Sequence, residues 1–461
     1  MKMKKSKRNL IMAIVLGGAF IALLAETFLN NALVTIMDAF QVSQATAQWL
    51  STGYLLIVGV MIPLSAWIFN RFQTRKSYLT MLVIFVIGSI ICIFANNFYV
   101  LLAGRMIEAI SAGAMMPFIQ NVILQLFKPE ERGLALGITG LVVAFGPAVG
   151  PTISGFILKY FEWQMLFIVL AVTSSLVLIC ALIKFPNLNE PKEIKLDWIS
   201  LIESVLGFGI MLFIFSEVGN DGKITLIDGV LFIASILILV LFGKRQLQLE
   251  EPLLNIRVFL NSQFNWTTLL STLSNVAMVG IELVLPLYLQ TTRNESALLA
   301  GIIMMPGAII MGVFNPISGS LYDKLGIKKI SLLGFSILLI GTIPMIFFNS
   351  QTSTILITIS YAVRMIGIAL TMMITFTAGI NSLEPEDTTY GNAAASTVRQ
   401  IGGSLGTAIS MTVVAVGTKI ATSQGTSAKI ASEVGYHWAF DVMIFVAVVG
   451  ILASFKLKSE R

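Results

Sequence analysis

The segment PLSAWIFNRFQTRK (Pro63–Lys76) returns 253 positions later as PISGSLYDKLGIKK (Pro316–Lys329). Proline, serine, the basic residue after Asn70 or Asp323 and the closing basic pair coincide in the two copies. Each copy is a short charged hinge that follows one long apolar segment and precedes another. A chain that repeats itself at this distance is built from two related halves, and in membrane proteins such halves are typical of transporters that rock about a central site.

The composition places the whole chain in a membrane. Hydrophobic residues make up 56% of the sequence and charged residues 12%, about half the charged share of a soluble domain. Apolar stretches of about 20 residues, enough to cross a hydrocarbon core of about 30 Å, recur along the chain. We predict an all-α protein with fourteen spans at 10–33, 47–69, 78–96, 100–125, 134–158, 164–184, 198–217, 225–243, 264–289, 297–321, 328–348, 354–378, 390–416 and 436–456.

The distribution of Lys and Arg predicts the orientation. If the N-terminus is cytoplasmic, alternate loops place 22 basic residues inside and five outside, which indicates that both termini are cytoplasmic. The net charge of +6 then reflects the basic residues of the cytoplasmic loops and does not indicate nucleic-acid binding. Cys92 and Cys180 lie in apolar spans, so neither a disulfide framework nor a metal site is expected.

The repeat divides the chain into three parts. Residues 1–187 form an N-terminal six-helix half, residues 251–461 form a C-terminal six-helix half, and residues 188–250 hold two inserted helices with their linkers. The repeat does not explain the insert, which we interpret as a structural spacer or lipid-facing pair, with a gate or an assembly surface as the alternative.

Ionisable residues inside the spans are the candidate functional groups, because such residues are costly in a membrane and usually face a cavity, a partner or a proton path. Glu26 lies in the outer half of span one among apolar neighbours, and Asn30 is one turn further on the same face. A carboxylate placed there can serve as a proton or cation site. The other candidates are Arg105, Glu108, Glu203, Glu282, Arg364, Arg399 and Asp441.

Two further groups of these residues suggest proton coupling. Glu108 follows Arg105 by three positions and can share its helix face, so Arg105 could exchange partners as one acid is protonated. Glu282 lies in the outer half of span nine and is the counterpart of Glu26 in chemistry. We interpret Arg364 and Arg399 as members of structural or gating pairs, not as substrate contacts.

Span five is marked by the run GPAVGP (Gly146–Pro151). Small residues let helices approach closely, and proline removes a backbone donor and bends a helix. A bent, closely packed helix can act as a seal or pivot, although ordinary close packing explains the same pattern.

Several of these segments together resemble the major facilitator superfamily, specifically its fourteen-helix drug:proton antiporter branch. The run of residues 146–152 (GPAVGPT) resembles the antiporter motif of span five, and residues 25–33 (AETFLNNAL) resemble the motif of span one. Residues 105–109 (RMIEA) resemble the motif of span four. The second loop resembles the cytoplasmic loop motif of the family, and its gating residues would be Gly319, Asp323, Lys324, Gly326 and Lys328.

The resemblance implies a bacterial plasma-membrane exporter of lipophilic, often cationic drugs or dyes, driven by inward proton flow, with a monomeric chain and no cofactor. The alternative within transport is a proton-coupled exporter of an endogenous metabolite or lipid-like compound. An enzyme is not expected, because the chain has one histidine and none of the nucleotide-binding, zinc-protease or serine-hydrolase motifs. The aromatic walls of a substrate site are expected from Phe28, Trp49, Tyr54, Phe145 and Tyr288.

Overall fold

The structure of the protein, a computed structural model, describes residues 4–29, 32–221 and 224–458. Short 3₁₀ turns at Ile256–Leu260 and Ile343–Phe347 accompany the α-helices. The helices are α1 Lys5–Phe28, α2 Leu33–Phe40, α3 Gln44–Arg71, α4 Thr74–Ile93, α5 Phe98–Leu126, α6 Pro129–Tyr160, α7 Gln164–Lys184, α8 Trp198–Asp221, α9 Leu226–Gln248, α10 Ser262–Thr291, α11 Ala297–Thr342, α12 Thr354–Asn381, α13 Thr388–Ser423 and α14 Ala428–Ser454.

The predicted all-helical membrane architecture is confirmed. In the described ranges, thirteen segments are long and apolar enough to cross a membrane. The predicted fifth span corresponds to α6, a 32-residue helix whose side chains are described only in part. The count of fourteen spans therefore stays a prediction.

Two boundaries differ from the sequence prediction. One span was expected over 10–33, but α1 ends at Phe28 and a separate short helix begins at Leu33. Asn30 and Asn31, between the two helices, lie outside the described residues. Conversely, predicted spans ten and eleven run together as α11, which turns at Gly326 with φ 74° and ψ 163°. A positive φ of this size favours glycine.

Both chain ends lie at the same end of the bundle, which we call the terminal end. Arg8 at the start of α1 forms an ion pair with Glu131 at the start of α6, at 2.6 Å. The backbone N–H of Lys458, beyond α14, donates to Gln263 at the start of α10, at 3.2 Å. Arg132 of α6 donates to Asn381, and Asn261 before α10 donates to the Ser382 carbonyl, so the segments that join α5 to α6 and α12 to α13 lie at the same face.

The inserted helices have different surroundings. Helix α8 packs against α3 of the first half and α13 of the second, and the hydroxyls of Thr52 and Ser216 lie 3.2 Å apart at the α3 contact. Helix α9 packs mainly on α8 and keeps its other side exposed. Arg245 at the end of α9 pairs with Asp197 before α8 at 2.6 Å, and this hydrogen bond lowers the pKa of the Asp197 carboxyl. The insert thus consists of a bridging helix and a peripheral one.

The two halves are joined at the terminal end. Asn392 on α13 donates to the Asn121 side chain and to the Pro117 carbonyl on α5, both at 2.7 Å. Arg132 on α6 donates to Asn381 at the end of α12 at 2.9 Å. These contacts close the terminal end and leave a cavity between the halves above them.

Candidate functional site

A cavity of about 630 Å³ lies between the two halves. Helices α1, α3, α5 and α6 of the first half and α10 to α13 of the second contribute to its wall. Most of the wall is apolar, and flexible, polarisable methionine side chains are prominent in it. The lining methionines are Met116, Met278, Met304, Met305, Met372 and Met373.

Glu26 and Glu282 line this one cavity from opposite halves. Glu26 is on α1, the first helix of the first half, and Glu282 is on α10, the first long helix of the second. Two carboxylates that face one mainly apolar space are costly to keep charged unless a proton or a cation neutralises them. The fold therefore brings together two acids that are 256 positions apart in the chain.

A buried ion pair lies behind the first-half wall. Tyr54 lines the cavity, and the guanidinium carbon of Arg105 lies 4.0 Å from the centre of its ring. Arg105 Nη1 contacts Glu108 Oε2 at 2.7 Å, and both side chains are fully buried. Ser89 donates to the other Glu108 oxygen at 2.5 Å. Arg105 and Glu108 therefore form a buried ion pair behind Tyr54, in which Nε and Nη2 of Arg105 have no hydrogen-bond partner in the described part of the chain.

The second half repeats the buried arginine but not its acid. Arg364 on α12 donates to the Thr342 hydroxyl at 3.1 Å and to the Ala277 carbonyl. Thr342 follows Ser89 by 253 positions, the same offset as the two loops. Tyr361, one turn before Arg364, lines the cavity beside Gly307, where an added Cβ would come within 2.4 Å of the Tyr361 ring. The sequence analysis interpreted Arg364 as one member of a charged pair. Among the described side chains, no ion pair includes Arg364.

Arg399 on α13 is a cationic wall residue that the sequence interpretation did not place in the cavity. Its Nη1 atom is buried and has no hydrogen-bond partner in the described part of the chain. Its guanidinium carbon lies 5.0 Å from the centre of the Phe376 ring, and Asn275 on α10 donates to its backbone carbonyl at 2.9 Å. A mid-span charge was the sequence signal for this residue, but only the helix packing shows which way α13 faces.

Of the five predicted aromatic wall residues, Tyr54 lines the cavity and the other four lie elsewhere. Phe28 is buried in the core of the first half, with 1% of its surface exposed. Trp49 stacks on Phe213 of α8 with ring centres 5.9 Å apart. Residue type and span do not fix which helix face a ring occupies, so these rings pack against neighbouring helices instead.

The remaining two predicted rings, Phe145 and Tyr288, also pack against neighbouring residues instead of lining the cavity. Phe145 lies against Gly312 at the contact of α6 with α11. Tyr288 is buried in an aromatic cluster of the second half with Tyr436 and Phe440. The predicted contact of Asn30 lies outside the described residues.

The glycines of the span-five motif bring α6 against α1. An added Cβ would lie 2.7 Å from the Leu23 Cβ atom at Gly146 and 2.0 Å from the Thr27 hydroxyl at Gly150. The side chains of Pro147 and Pro151 are outside the description. The motif thus holds two helices of the first half together, and Leu23 and Thr27 of α1 both also line the cavity.

The predicted gating loop lies at the terminal end. Gly319 packs on the backbone of Gly133 in α6, where an added Cβ would be 2.7 Å from the Gly133 carbonyl carbon. Gly326 provides the turn that follows, Lys324 is exposed and Lys328 is partly buried. The side chain of Asp323 is outside the description, so its gating role stays a prediction.

Comparison with known proteins agrees with this architecture. Residues 15–407 match the family model of the Major Facilitator Superfamily. The chain is 39% identical over 458 residues to the uncharacterized MFS-type transporter YcnB of Bacillus subtilis, covering 99% of this chain and 97% of that protein. It is 34% identical to the lincomycin resistance protein LmrB of Listeria innocua over 98% of this chain and 97% of that protein.

Solved structures show the same fold. The proton:xylose symporter XylE aligns with a TM-score of 0.68 at 15% identity, over 99% of this chain and 97% of that one. The two halves, the central cavity and the family match lead to one conclusion: this chain belongs to the major facilitator superfamily of membrane transporters.

Proposed function

We propose that this protein is a proton-coupled antiporter that exports lipophilic, often cationic drugs or dyes from a bacterial cytoplasm. The observation that carries the proposal is the pair Glu26 and Glu282, which line one mainly apolar cavity from opposite halves. The resistance phenotype named for the related LmrB is in keeping with export of a drug.

The cavity has the size and surface for such substrates. Its volume of about 630 Å³ falls within the range of drug-sized pockets, about 300–1,000 Å³. Methionine side chains adapt to ligands of different shape and are common at promiscuous binding surfaces. The lining ring of Tyr54 adds an aromatic face for a cation.

Exchange follows from competition for the two carboxylates. A cationic substrate that enters from the cytoplasm would displace protons from Glu26 and Glu282, since the apolar wall favours neutralised acids. After the halves rock, protons from the outside would neutralise the acids again and release the substrate. With the terminal end facing the cytoplasm, the contacts at Asn121 and Asn392 make the present conformation closed to the cytoplasm.

Dye transport in inside-out membrane vesicles tests the proposal. Rhodamine 123 uptake driven by an imposed proton gradient is measured for wild type, Glu26→Gln and Glu282→Gln. Each substitution keeps the side-chain size but removes the titratable charge, so we expect gradient-driven uptake to fall ~100-fold or more, as is typical when a required proton-transfer group is lost. Glu250→Gln, at an exposed acid outside the cavity, is the matched control and should transport normally.

Two outcomes would contradict the proposal. Uptake that is unimpaired in both Glu26→Gln and Glu282→Gln would remove the carboxylates from the mechanism. Uptake that persists after the proton gradient is collapsed, with ATP still present, would remove proton coupling.

A further inference from the structure

Arg399 is a charged cavity residue that the exchange of protons for cations does not use. A guanidinium in a mid-membrane position needs an anionic or strongly polar partner, because an uncompensated charge there is costly. The ion pairs of the described residues do not include Arg399, and its Nη1 atom has no hydrogen-bond partner there. The Phe376 ring supplies a cation–π contact on one side only.

The face of α13 that carries Arg399 is built as a polar wall. Ser396, Arg399, Gln400, Gly403, Ser404 and Thr407 all line the cavity, and their spacing of three and four residues marks one stripe of a helix. The carboxylates of Glu26 and Glu282 come from α1 and from α10, which packs against α13. The charged residues of the cavity wall are thus two carboxylates and one arginine.

Local packing fixes the position of the guanidinium. Asn275 of α10 donates to the Arg399 carbonyl at 2.9 Å and so ties this turn of α13 to the neighbouring helix. Gly403, one turn further along the same stripe, leaves room for the Asn275 side chain, which would lie 2.6 Å from an added Cβ. The backbone of this turn is therefore fixed, and no ion pair of the described residues engages the guanidinium that a group inside the cavity would meet.

We propose that Arg399 is a substrate-binding residue that receives a carboxylate, so that the cavity takes amphoteric substrates bearing both a cationic centre and a carboxylate. The inference rests on the proposed function and names the substrate class of the same site. An arginine fork matches the two oxygens of a carboxylate, whereas the cationic centre of the same molecule would lie toward Glu26 and Glu282.

A matched pair of dyes tests this assignment. Rhodamine 123 and rhodamine 110 share one cationic ring system, and the methyl ester of the first is a free carboxylate in the second. Binding of each dye to the purified protein in lipid nanodiscs is measured by fluorescence anisotropy at neutral pH. We expect wild type to bind rhodamine 110 at least ~10-fold more tightly than rhodamine 123, because a desolvated charge pair discriminates strongly.

Variants of Arg399 separate charge recognition from structure. Arg399→Gln should abolish the preference by weakening rhodamine 110 binding relative to rhodamine 123 binding. Arg399→Lys should keep part of the preference, since lysine retains the charge without the planar fork. Gln400→Ala, at the neutral neighbour on the same face, is the control and should affect both dyes alike. Rhodamine 123 binding also reports whether each variant is folded.

The outcomes distinguish this inference from the proposed function. Equal affinity of wild type for the two dyes, or equal weakening of both by Arg399→Gln, would overturn the carboxylate assignment and leave drug binding in place. Failure of wild type to bind either dye would count against both. If Arg399→Gln does not fold, the wild-type preference and the Arg399→Lys ratio decide the question.

Discussion

Arg105 and Arg364 are the largest fully buried side chains among the residues that the structure describes, and their buried charges have different partners. Arg105 is neutralised by Glu108, which Ser89 supports. Arg364 relies on neutral acceptors, the Thr342 hydroxyl and the Ala277 carbonyl. The two halves are therefore related in position but unequal in charge, and the first half depends more on one ion pair.

This difference gives a prediction for Glu108→Gln. The substitution leaves Arg105 buried without its counter-ion, and breaking a buried pair in this way costs about 3–5 kcal/mol. We expect a clear fall in the thermal unfolding temperature of the detergent-purified protein. Glu131→Gln, which breaks the partly exposed pair with Arg8, is the control and should have a much smaller effect. Equal effects of the two substitutions would show that Glu108 is not a structural counter-ion.

At the scale of helices, contacts between glycines decide how the halves meet. Helices α6 and α11 approach at Gly133 and Gly319, where backbone lies on backbone. Close approach of this kind requires small residues. Within the first half, glycines likewise let α6 pack closely on α1 at Gly146 and Gly150. Helix α6 thus contacts the second half from Gly133 to Phe145 and its own half at Gly146 and Gly150.

Gly319→Ala tests the importance of the α6–α11 contact. The added Cβ would lie 2.7 Å from the Gly133 carbonyl carbon, so the helices must move apart. We expect the protein to spend less time closed at the terminal end, seen as longer distances between spin labels on α6 and α11. Gly229→Ala, on α9 where no atom lies within 4 Å of the added Cβ, should leave the distances unchanged. Unchanged distances in Gly319→Ala would contradict the contact.

At the scale of the whole molecule, the closed terminal end and the central cavity describe one state of a rocking transporter. The halves must part near Asn121 and Asn392 for the cavity to open at the terminal end. The bridging helix α8 touches both halves and must slide or move with them. In the proposed rocking cycle, these inter-half contacts break each time the cavity opens at the terminal end.

A cysteine cross-link provides the test. In a background with Cys92 and Cys180 replaced by serine, Asn121→Cys and Asn392→Cys are combined and joined by a short bis-methanethiosulfonate linker, which forms a reducible disulfide bond with each cysteine. We expect dye transport to stop on cross-linking and to recover on reduction. A pair within the second half, Thr291→Cys with Tyr436→Cys, joins residues whose hydroxyls are 2.9 Å apart and should leave transport intact. Transport that continues in the cross-linked inter-half pair would exclude this movement.

Much of the architecture could be predicted from the sequence because membrane helices are marked by composition. The spans, the two halves and the family resemblance followed from apolar length and repeated landmarks, which do not depend on tertiary contacts. Glu26 and Glu282 could be singled out for the same reason, since a carboxylate in an apolar span is unusual wherever its partner lies. The break after Phe28 was missed because a window of apolar residues does not register a short interruption.

The rest needed the tertiary structure, because the direction in which a side chain points within a bundle depends on how the helices pack. The amino-acid sequence determined that this chain is a two-half helical membrane protein with a few ionisable residues in its spans. Only the packed structure decided that Glu26, Glu282 and Arg399 line one cavity, that Glu108 neutralises Arg105 behind Tyr54, and that Phe28 and Tyr288 lie in the core. A helix exposes several faces to different neighbours, and residue spacing along one helix cannot tell which face meets the cavity.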